Sequence, residues 1–289
     1  MNVQEIAAFS DGAVGGNPAG VWLGDQPLGR DHMQAIAAEL GHSETAFAVP
    51  EGTGWRVRYF SPAMEVPFCG HATVALGAAL AMAHGNGVFP LLLNDGEISV
   101  EGRDHHGELT AALQSPPTSH TALSDAQLMR YLSLLGYQHD DLSNDLPPAL
   151  IHAGADHLLL PLSSRAALSR LDYDLEAGAR IMREDGLVTV MCVFAESATV
   201  FSCRNAFASG GVKEDPATGA AAAAFGGYLR DAKLSTERVL DLKQGDDMGM
   251  PSRIRVEFSE VPGSSVRVSG QARVMGATRA VGEPLETEA

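Results

Sequence analysis

The chain has 289 residues, 45% hydrophobic and 19% charged, a globular balance that buries a substantial core and argues against wholesale disorder. Its formal charge is −16, from 36 acidic and 20 basic residues, and no Lys/Arg run forms a phosphate-binding stripe, so nucleic acid and anionic membrane surfaces are poor partners. Residues 1–5 lack a basic stretch followed by an apolar run, and no apolar stretch is long enough to span a bilayer, which reads as a cytoplasmic protein with no membrane partner.

Residues 3–9 read as a first strand. Residues 10–20, rich in glycine and carrying Asn17-Pro18, read as a turn-rich loop leading into Val21-Trp22-Leu23. It is not a phosphate-binding loop, because the terminal Gly-Lys-Ser/Thr is missing. Asp31 is placed at the start of a helix with Gln34 three residues on, an apolar face of Met33, Ile36, Ala37 and Leu40, and Gly41 as its stop. Gly41-His42-Ser43-Glu44-Thr45 leaves that helix for a strand reaching Val49. An acid at a strand's start is usually solvated. Glu44 gains chemistry only where it faces a pocket that contains a proton-transfer partner.

Residues 55–60 alternate large apolar and basic side chains, a half-buried strand. A Pro-bearing turn then leads to Cys69-Gly70-His71-Ala72-Thr73 and an apolar helix over residues 74–83. Gly70 lets backbone approach a ligand, and the first-turn amides have no intrahelical acceptor, so this is an anion pocket suited to a carboxylate, flanked by a thiol and an imidazole. Residues 90–93, 98–100 and 108–113 read as short antiparallel strands joined by Gly-bearing turns such as Asn94-Asp95-Gly96. Ser115-Pro116-Pro117-Thr118 reads as a domain junction, since consecutive prolines resist helix and sheet interiors. Ser124 caps a helix with Gln127 at its third position and Gly136 as terminator, and residues 138–148 read as an exposed loop.

Residues 150–162 read as one long strand that puts His152 and His157 on opposite faces, which is no metal site. A helix over 173–184 and strands over 187–194 and 198–203 precede a second motif, Glu214-Asp215-Pro216-Ala217-Thr218-Gly219-Ala220, and an Ala run ending near Tyr228. With Cys69 laid on Asp215, both halves read strand, turn, reactive side chain, small residues and apolar helix, which suggests a duplication. Strands over 239–242, 254–258 and 266–275, with a Gly/Met/Pro loop over 244–252, follow. The three cysteines include no CxxC and cannot all pair, as in a reducing compartment; Cys192 and Cys203 read as small buried hydrophobes in strands. No clustered His, Cys and carboxylate spacing and no nucleotide loop occurs, so neither a metal nor an organic cofactor is expected.

Gly16-Asn17-Pro18-Ala19-Gly20-Val21, Ser43-Glu44-Thr45-Ala46-Phe47, Arg58-Tyr59-Phe60-Ser61-Pro62 running on through Glu65-Val66-Pro67-Phe68-Cys69-Gly70-His71-Ala72-Thr73, Glu214-Asp215-Pro216-Ala217-Thr218-Gly219 and Gln244-Gly245 together resemble the PhzF-like isomerases of phenazine biosynthesis, relatives of diaminopimelate epimerase. The resemblance implies an α+β fold of two similar lobes, each a central helix wrapped by a mostly antiparallel, barrel-like sheet, with the active site in the cleft between them. The lobes are expected at residues 1–116 and 117–289, with the last strands able to cross back to the first. It further implies a cofactor-free proton shift on a small carboxylate-bearing substrate, in a homodimer. By position, Glu44 resembles the family's general acid/base, and His71 and Asp215 its supporting proton-transfer and hydrogen-bonding groups. Gly70 and Gly219 resemble the helix-start glycines near the substrate, and Asn17, Cys69, Ala72, Thr218 and Ala220 are the other substrate-binding candidates. Two positions depart from the family: Ala220 stands where many members have Ser, and Met250 where an Arg often precedes Pro-Ser. Two other readings remain: a racemase or epimerase using Cys69 and Asp215, and a non-catalytic ligand-binding or interaction protein on the same fold.

Overall fold

The computed structural model describes residues 1–94 and 96–281. The chain divides into two units, one formed by Met1–Leu113 with the segment from Ser269 onward, the other by Gln114–Val268.

In the first unit, β1 (Asn2–Ser10) pairs antiparallel with β2 (Asn17–Leu23), and β2 runs parallel to β3 (Thr45–Glu51), with α1 (Arg30–Leu40) between them in sequence. β3 is antiparallel to β4 (Gly54–Phe60), and β4 is antiparallel to the two-residue β5 (Glu65–Val66). After α2 (Gly70–His84), β6 (Gly87–Leu92) runs parallel to β4 and antiparallel to β7 (Glu97–His105), which pairs antiparallel with β8 (Glu108–Gln114).

The second unit opens with β9 (Ser119–Ala122) and α3 (Asp125–Leu135). β10 (Ala149–His152) pairs antiparallel with β9 and with β11 (Asp156–Pro161). β11 runs parallel to β12 (Thr189–Ala195), with α4 (Arg165–Ser169) and α5 (Leu175–Glu184) between them in sequence. β12 is antiparallel to β13 (Val200–Ala206), and β13 to β14 (Glu214–Asp215). After α6 (Gly219–Asp231), β15 (Val239–Gln244) runs parallel to β13 and antiparallel to β16 (Ser252–Phe258). The later residues of β17 (Val266–Val274), and then β18 (Arg279–Ala280), pair antiparallel with β1, so these strands return to the first unit. From β1 to β7 and from β10 to β16 the pairings follow one another identically: antiparallel, parallel, antiparallel, antiparallel, parallel, antiparallel. That is an α+β fold of two similar lobes with mostly antiparallel sheets.

The central helices have no solvent face. α2 is buried at every position from His71 to Ala81 and packs on β7, β2 and β1, and α6 packs on β16, β10 and β9. Their Ala and Gly content follows from that burial, because a helix enclosed all round must let strands approach its backbone. A Cβ on Gly77 would lie 2.5 Å from Val100 Cγ2, and one on Gly226 would lie 2.6 Å from Val256 Cγ1. Other helices are amphipathic: α1 buries Met33, Ile36, Ala37 and Leu40 in a cluster with Trp22, Phe47 and Phe60, while α3, α4 and α5 contribute Leu132, Leu168 and Met182 to a second.

The expected cap of α3 is present, with Ser124 Oγ accepting from the Gln127 amide and Gln127 Oε1 accepting from the Ser124 amide, and Gly136 ends the helix in the left-handed region. α1 differs. It starts at Arg30 behind Gly29 without a side-chain cap, and Gln34 Nε2 donates to Ser61 O at 2.8 Å. The expected loop over residues 10–20 is shorter, because β2 already begins at Asn17. Pro18 is tolerated there since β3 joins β2 only from Gly20, leaving Pro18 opposite Ala7 with no second ladder to supply. The single strand expected over 150–162 is a hairpin, turned at Gly154 with φ +85°.

That hairpin puts His157 on β11 opposite Thr189, fully buried, with Nδ1 2.7 Å from Thr189 Oγ1. Burial lowers its pKa from 6.5 to about 4. Between those values the unfolded chain binds a proton that the folded chain refuses, so stability is complete above about pH 6.5 and is lost as pH falls toward 4. Thermal melts across that window are expected to fall with a slope that flattens in His157→Gln; an unchanged slope would remove His157 as the cause.

Candidate active site

The two units carry the same clamp. Arg58 on β4 donates through Nε and Nη2 to Glu65 Oε1 and Oε2 on β5, both at 2.7 Å. Arg204 on β13 donates through Nε to Glu214 Oε2 on β14 at 2.8 Å and through Nη2 to Oε1. Five residues beyond each glutamate the central helix starts, at Gly70 and at Gly219, so the shared frame is Glu-x-Pro-x-x-Gly. This frame sets Cys69 against Thr218, each the N-cap of its helix, His71 against Ala220, and Asp215 against Val66. Laying Cys69 on Asp215 is therefore wrong by three residues. The sequence reading matched the reactive side chains, whereas the repeat is carried by the Arg–Glu clamp and the helix start. Where β3 and β12 begin, Glu44 stands against Val188. Glu44, His71, Cys69 and Asp215 each occur on one half only.

In the first unit, Glu44 immediately precedes β3, and its carbonyl accepts from the Gly20 amide at 3.2 Å. A Cβ on Gly20 would lie 2.8 Å from both Leu40 Cδ1 and Thr45 Oγ1, so the glycine is what lets β2 reach the residue after Glu44. Glu44 Oε2 lies 3.4 Å from His71 Nε2, with the two side chains 14% and 7% exposed. Ser43 Oγ is 3.3 Å from the same nitrogen, and Cys69 Sγ is 3.3 Å from His71 Nδ1. The turn behind them is fixed by direction as well as distance. Thr73 Oγ1 donates to Cys69 O at 2.7 Å, so the buried Tyr59 hydroxyl donates to Thr73 Oγ1 at 2.6 Å, and burial raises the Tyr59 pKa, keeping it a donor. Gly70 and Ala72 lie in the first turn of α2, and Asn17 is buried at the start of β2 opposite Ala8.

In the second unit, Asp215 ends β14 opposite Asn205 and is buried. Gln244, 1% exposed at the end of β15, organises it. Its Nε2 donates to Asp215 O at 2.7 Å and to Thr218 Oγ1 at 3.1 Å, and its Oε1 accepts from the Thr218 amide at 3.2 Å and Asn205 Nδ2 at 3.3 Å. A flipped amide would set oxygen against the Asp215 carbonyl and nitrogen against an N–H, so the backbone fixes the orientation. Thr218 Oγ1 accepts from Gln244 Nε2 and donates to Asp215 Oδ2, 2.6 Å away. Asp215 Oδ2 is thus held as an acceptor. Gly219 and Ala220 open α6 directly beyond.

A family model described as "Phenazine biosynthesis-like protein" matches residues 6–277. The chain belongs to this family. An uncharacterized isomerase of Deinococcus radiodurans is 35% identical over 295 residues, covering 93% of this chain and 91% of the relative. The trans-2,3-dihydro-3-hydroxyanthranilate isomerase of Pseudomonas chlororaphis is 30% identical over 278 residues, covering 94% and 96%. Among solved structures, a PhzF-family phenazine biosynthesis protein of Bacillus anthracis superposes with a TM-score of 0.82 at 23% identity, covering 97% of this chain and 99% of that one. A hydroxyproline epimerase of Agrobacterium vitis, with TM-score 0.60 and 13% identity, covering 96% and 89%, shares the fold alone. The protein is a PhzF-family isomerase of diaminopimelate-epimerase-like fold, and the non-catalytic reading is set aside.

Sequence reasoning assigned no role to Gln244, Asn205 or Ser43. Gln244 stood in the Gln244-Gly245 motif, but an amide that binds only protein groups carries no chemical label in sequence. Although the sequence spacing shows no metal cluster, one group of ligand-type atoms, on Glu44, Cys69 and His71, lies within 4.8 Å of one another among the described residues. No described helix is long and apolar enough to cross a membrane.

Proposed function

We propose that this isomerase moves a proton between two carbons of a small carboxylic acid by general acid/base catalysis, with Glu44 as the proton carrier and without a cofactor. The observation that carries the reading is the Glu44–His71 contact, a shielded carboxylate 3.4 Å from an imidazole beside a helix start. A carbon-bound proton is weakly acidic, so a base must be held against it while the developing charge is stabilised. Glu44 takes the proton and returns it, and His71 receives or supplies the hydrogen bond that each state needs. Amides at the start of α2, which has no acid in its first turn, grip the carboxylate. That local field is required because the protein's net charge of −16 disfavours an anion.

The racemase reading needs two opposed acid/base groups. As read from the sequence those are Cys69 and Asp215, and a carboxylate in place of one thiol is a poorly matched base for an α-proton. We also infer a homodimer, as the family resemblance implies, and a cytoplasmic location. Trans-2,3-dihydro-3-hydroxyanthranilate, named for the Pseudomonas chlororaphis relative, is the first candidate substrate, followed by other small unsaturated acids. Ala220, which removes a hydroxyl at the second helix start, argues for testing beyond it. The test is proton NMR of each acid with chelator-treated enzyme in D2O. A double-bond shift with deuterium at the receiving carbon supports the reading; inversion at one centre with no shift, or exchange only after a metal is restored, would falsify it.

A further inference from the structure

A cavity between the strands β9, β10 and β11 and the chain leaving α5 carries polar groups that the isomerase reaction leaves unused, and we infer that it binds a small aliphatic amine in its ammonium form. It holds about 230 Å3 and is lined by residues of the second unit alone. Pockets that take drug-sized ligands hold about 300–1,000 Å3, so the occupant has only a few heavy atoms. The strand register builds one wall. Ser119 stands opposite His152 and Thr121 opposite Leu150 across β9 and β10, and His152 stands opposite Asp156 across the β10–β11 hairpin. Opposite residues share a sheet face, as do residues two apart along a strand, so these five side chains leave the same face. Asp185, which ends α5, and Leu187, just before β12, form the other wall.

Hydrogen-bond sense selects the ligand. His152 Nδ1 lies 2.7 Å from Asp156 Oδ1, and an ionised carboxylate only accepts, so the proton of the neutral ring sits on Nδ1 and Nε2 presents a lone pair. Asp156 Oδ2 and the hydroxyls of Ser119 and Thr121 have no hydrogen-bond partner among the described residues. Each of these uncommitted groups can accept, which suits a ligand rich in N–H donors. Asp185 is committed, its Oδ1 accepting from Arg130 Nη1 at 2.8 Å and its Oδ2 from the Tyr131 hydroxyl at 2.9 Å. Charge agrees with this sense. Arg130 and Arg180 are matched by Asp185 and Glu184, whereas Asp156 has only the imidazole beside it, so the site is net negative and offers a carboxylate no free cation. The Asp156 side chain is 62% exposed and its field is screened, so burial of the ligand's alkyl chain must contribute. Leu150 and Leu187, which pack in the core cluster beneath, supply that apolar surface.

The test is a proton NMR titration of the full chain with n-butylamine, and separately with butanoate, at about 0.15 M salt, where diffuse attraction to an acidic protein is screened. The imidazole C–H signals of His152, assigned from their loss in His152→Gln, should shift and saturate with the amine and stay in place with the acid. Asp156→Asn should weaken amine binding by about 10–100-fold, the worth of a hydrogen bond to a charged group, and Ser119→Ala by a few-fold. The Asn variant keeps the backbone bond from the Val188 amide to the residue 156 carbonyl, 2.8 Å in the native chain, and thermal melts check that each variant is folded. Glu97→Gln, which removes an exposed acid of the first unit, should bind as wild type. No saturable shift in the wild type, an equal response to butanoate, an unchanged affinity in Asp156→Asn, or a loss in Glu97→Gln as large as in Asp156→Asn overturns the site.

Discussion

Glu44→Gln is expected to lower turnover by about 10²–10⁴-fold while changing affinity for the acid only a few-fold. The amide keeps the size of the carboxylate and can still meet His71 Nε2, so the contact now at 3.4 Å has a substitute and the backbone bond from Gly20 is untouched. What disappears is the basic oxygen. In the proposed reading the amides at the start of α2 hold the substrate carboxylate without involving this side chain, which is why binding and turnover should separate. Steady-state kinetics and calorimetric titration of the acid check both halves. Turnover within tenfold of wild type would remove Glu44 from the chemistry.

Glu214→Gln is expected to cost about 2–3 kcal/mol of stability, the worth of hydrogen bonds to a charged group. Arg204 is 10% exposed at its side chain, and its Nη1 is shared between the carbonyls of Leu168 and Ser169 at the end of α4, so removing the carboxylate leaves the guanidinium with only the looser contact from its Nε to Asp247 Oδ2 at 3.9 Å. Glu214 also precedes Asp215, and loss of the clamp should loosen the network with Gln244 and Thr218. Arg204→Met combined with Glu214→Gln should recover much of the loss, because no charge is then stranded. Urea denaturation of the two variants decides: a single variant within about 1 kcal/mol of wild type, or a double variant no better than the single, would show that the pair is not worth this much.

The clamp of the first unit predicts an acid signature. Hydrogen bonds from Arg58 hold Glu65 down to about 2, from an ordinary value of 4.5. The unfolded chain therefore takes up this proton first on acidification, and the stability Glu65 contributes, complete above about pH 4.5, is lost as pH falls toward 2. This window lies below the one in which His157 acts.

Much of the fold was legible because its signals are local. The stop at Gly41, the Ser124 and Gln127 cap and the alternation from Trp55 to Phe60 each depend on a few neighbouring residues. The failures came where a distant partner decides. Pro18 looks like a turn residue until the register shows that β3 reaches β2 only at Gly20. Residues 150–162 look continuous because a hairpin with both strands buried keeps the hydrophobic run, and only the φ of Gly154 reveals the turn. At the site, the family motifs flagged Glu44, His71 and Asp215, but the repeat was misaligned because Cys69 and Asp215 are conspicuous whereas Thr218 is not. Gln244 escaped assignment because its importance lies in which way its amide points, and that is set by a carbonyl and an N–H belonging to Asp215 and Thr218.

The most direct test of the central claim compares deuterium incorporation from D2O into a turned-over acid for Glu44→Gln and Cys69→Ala. With Glu44 as the proton carrier, exchange collapses in Glu44→Gln, and Cys69→Ala keeps most of it, since it removes only a small neighbour of His71 Nδ1. Exchange abolished in Cys69→Ala and spared in Glu44→Gln would make the thiol the acid/base and the protein an epimerase.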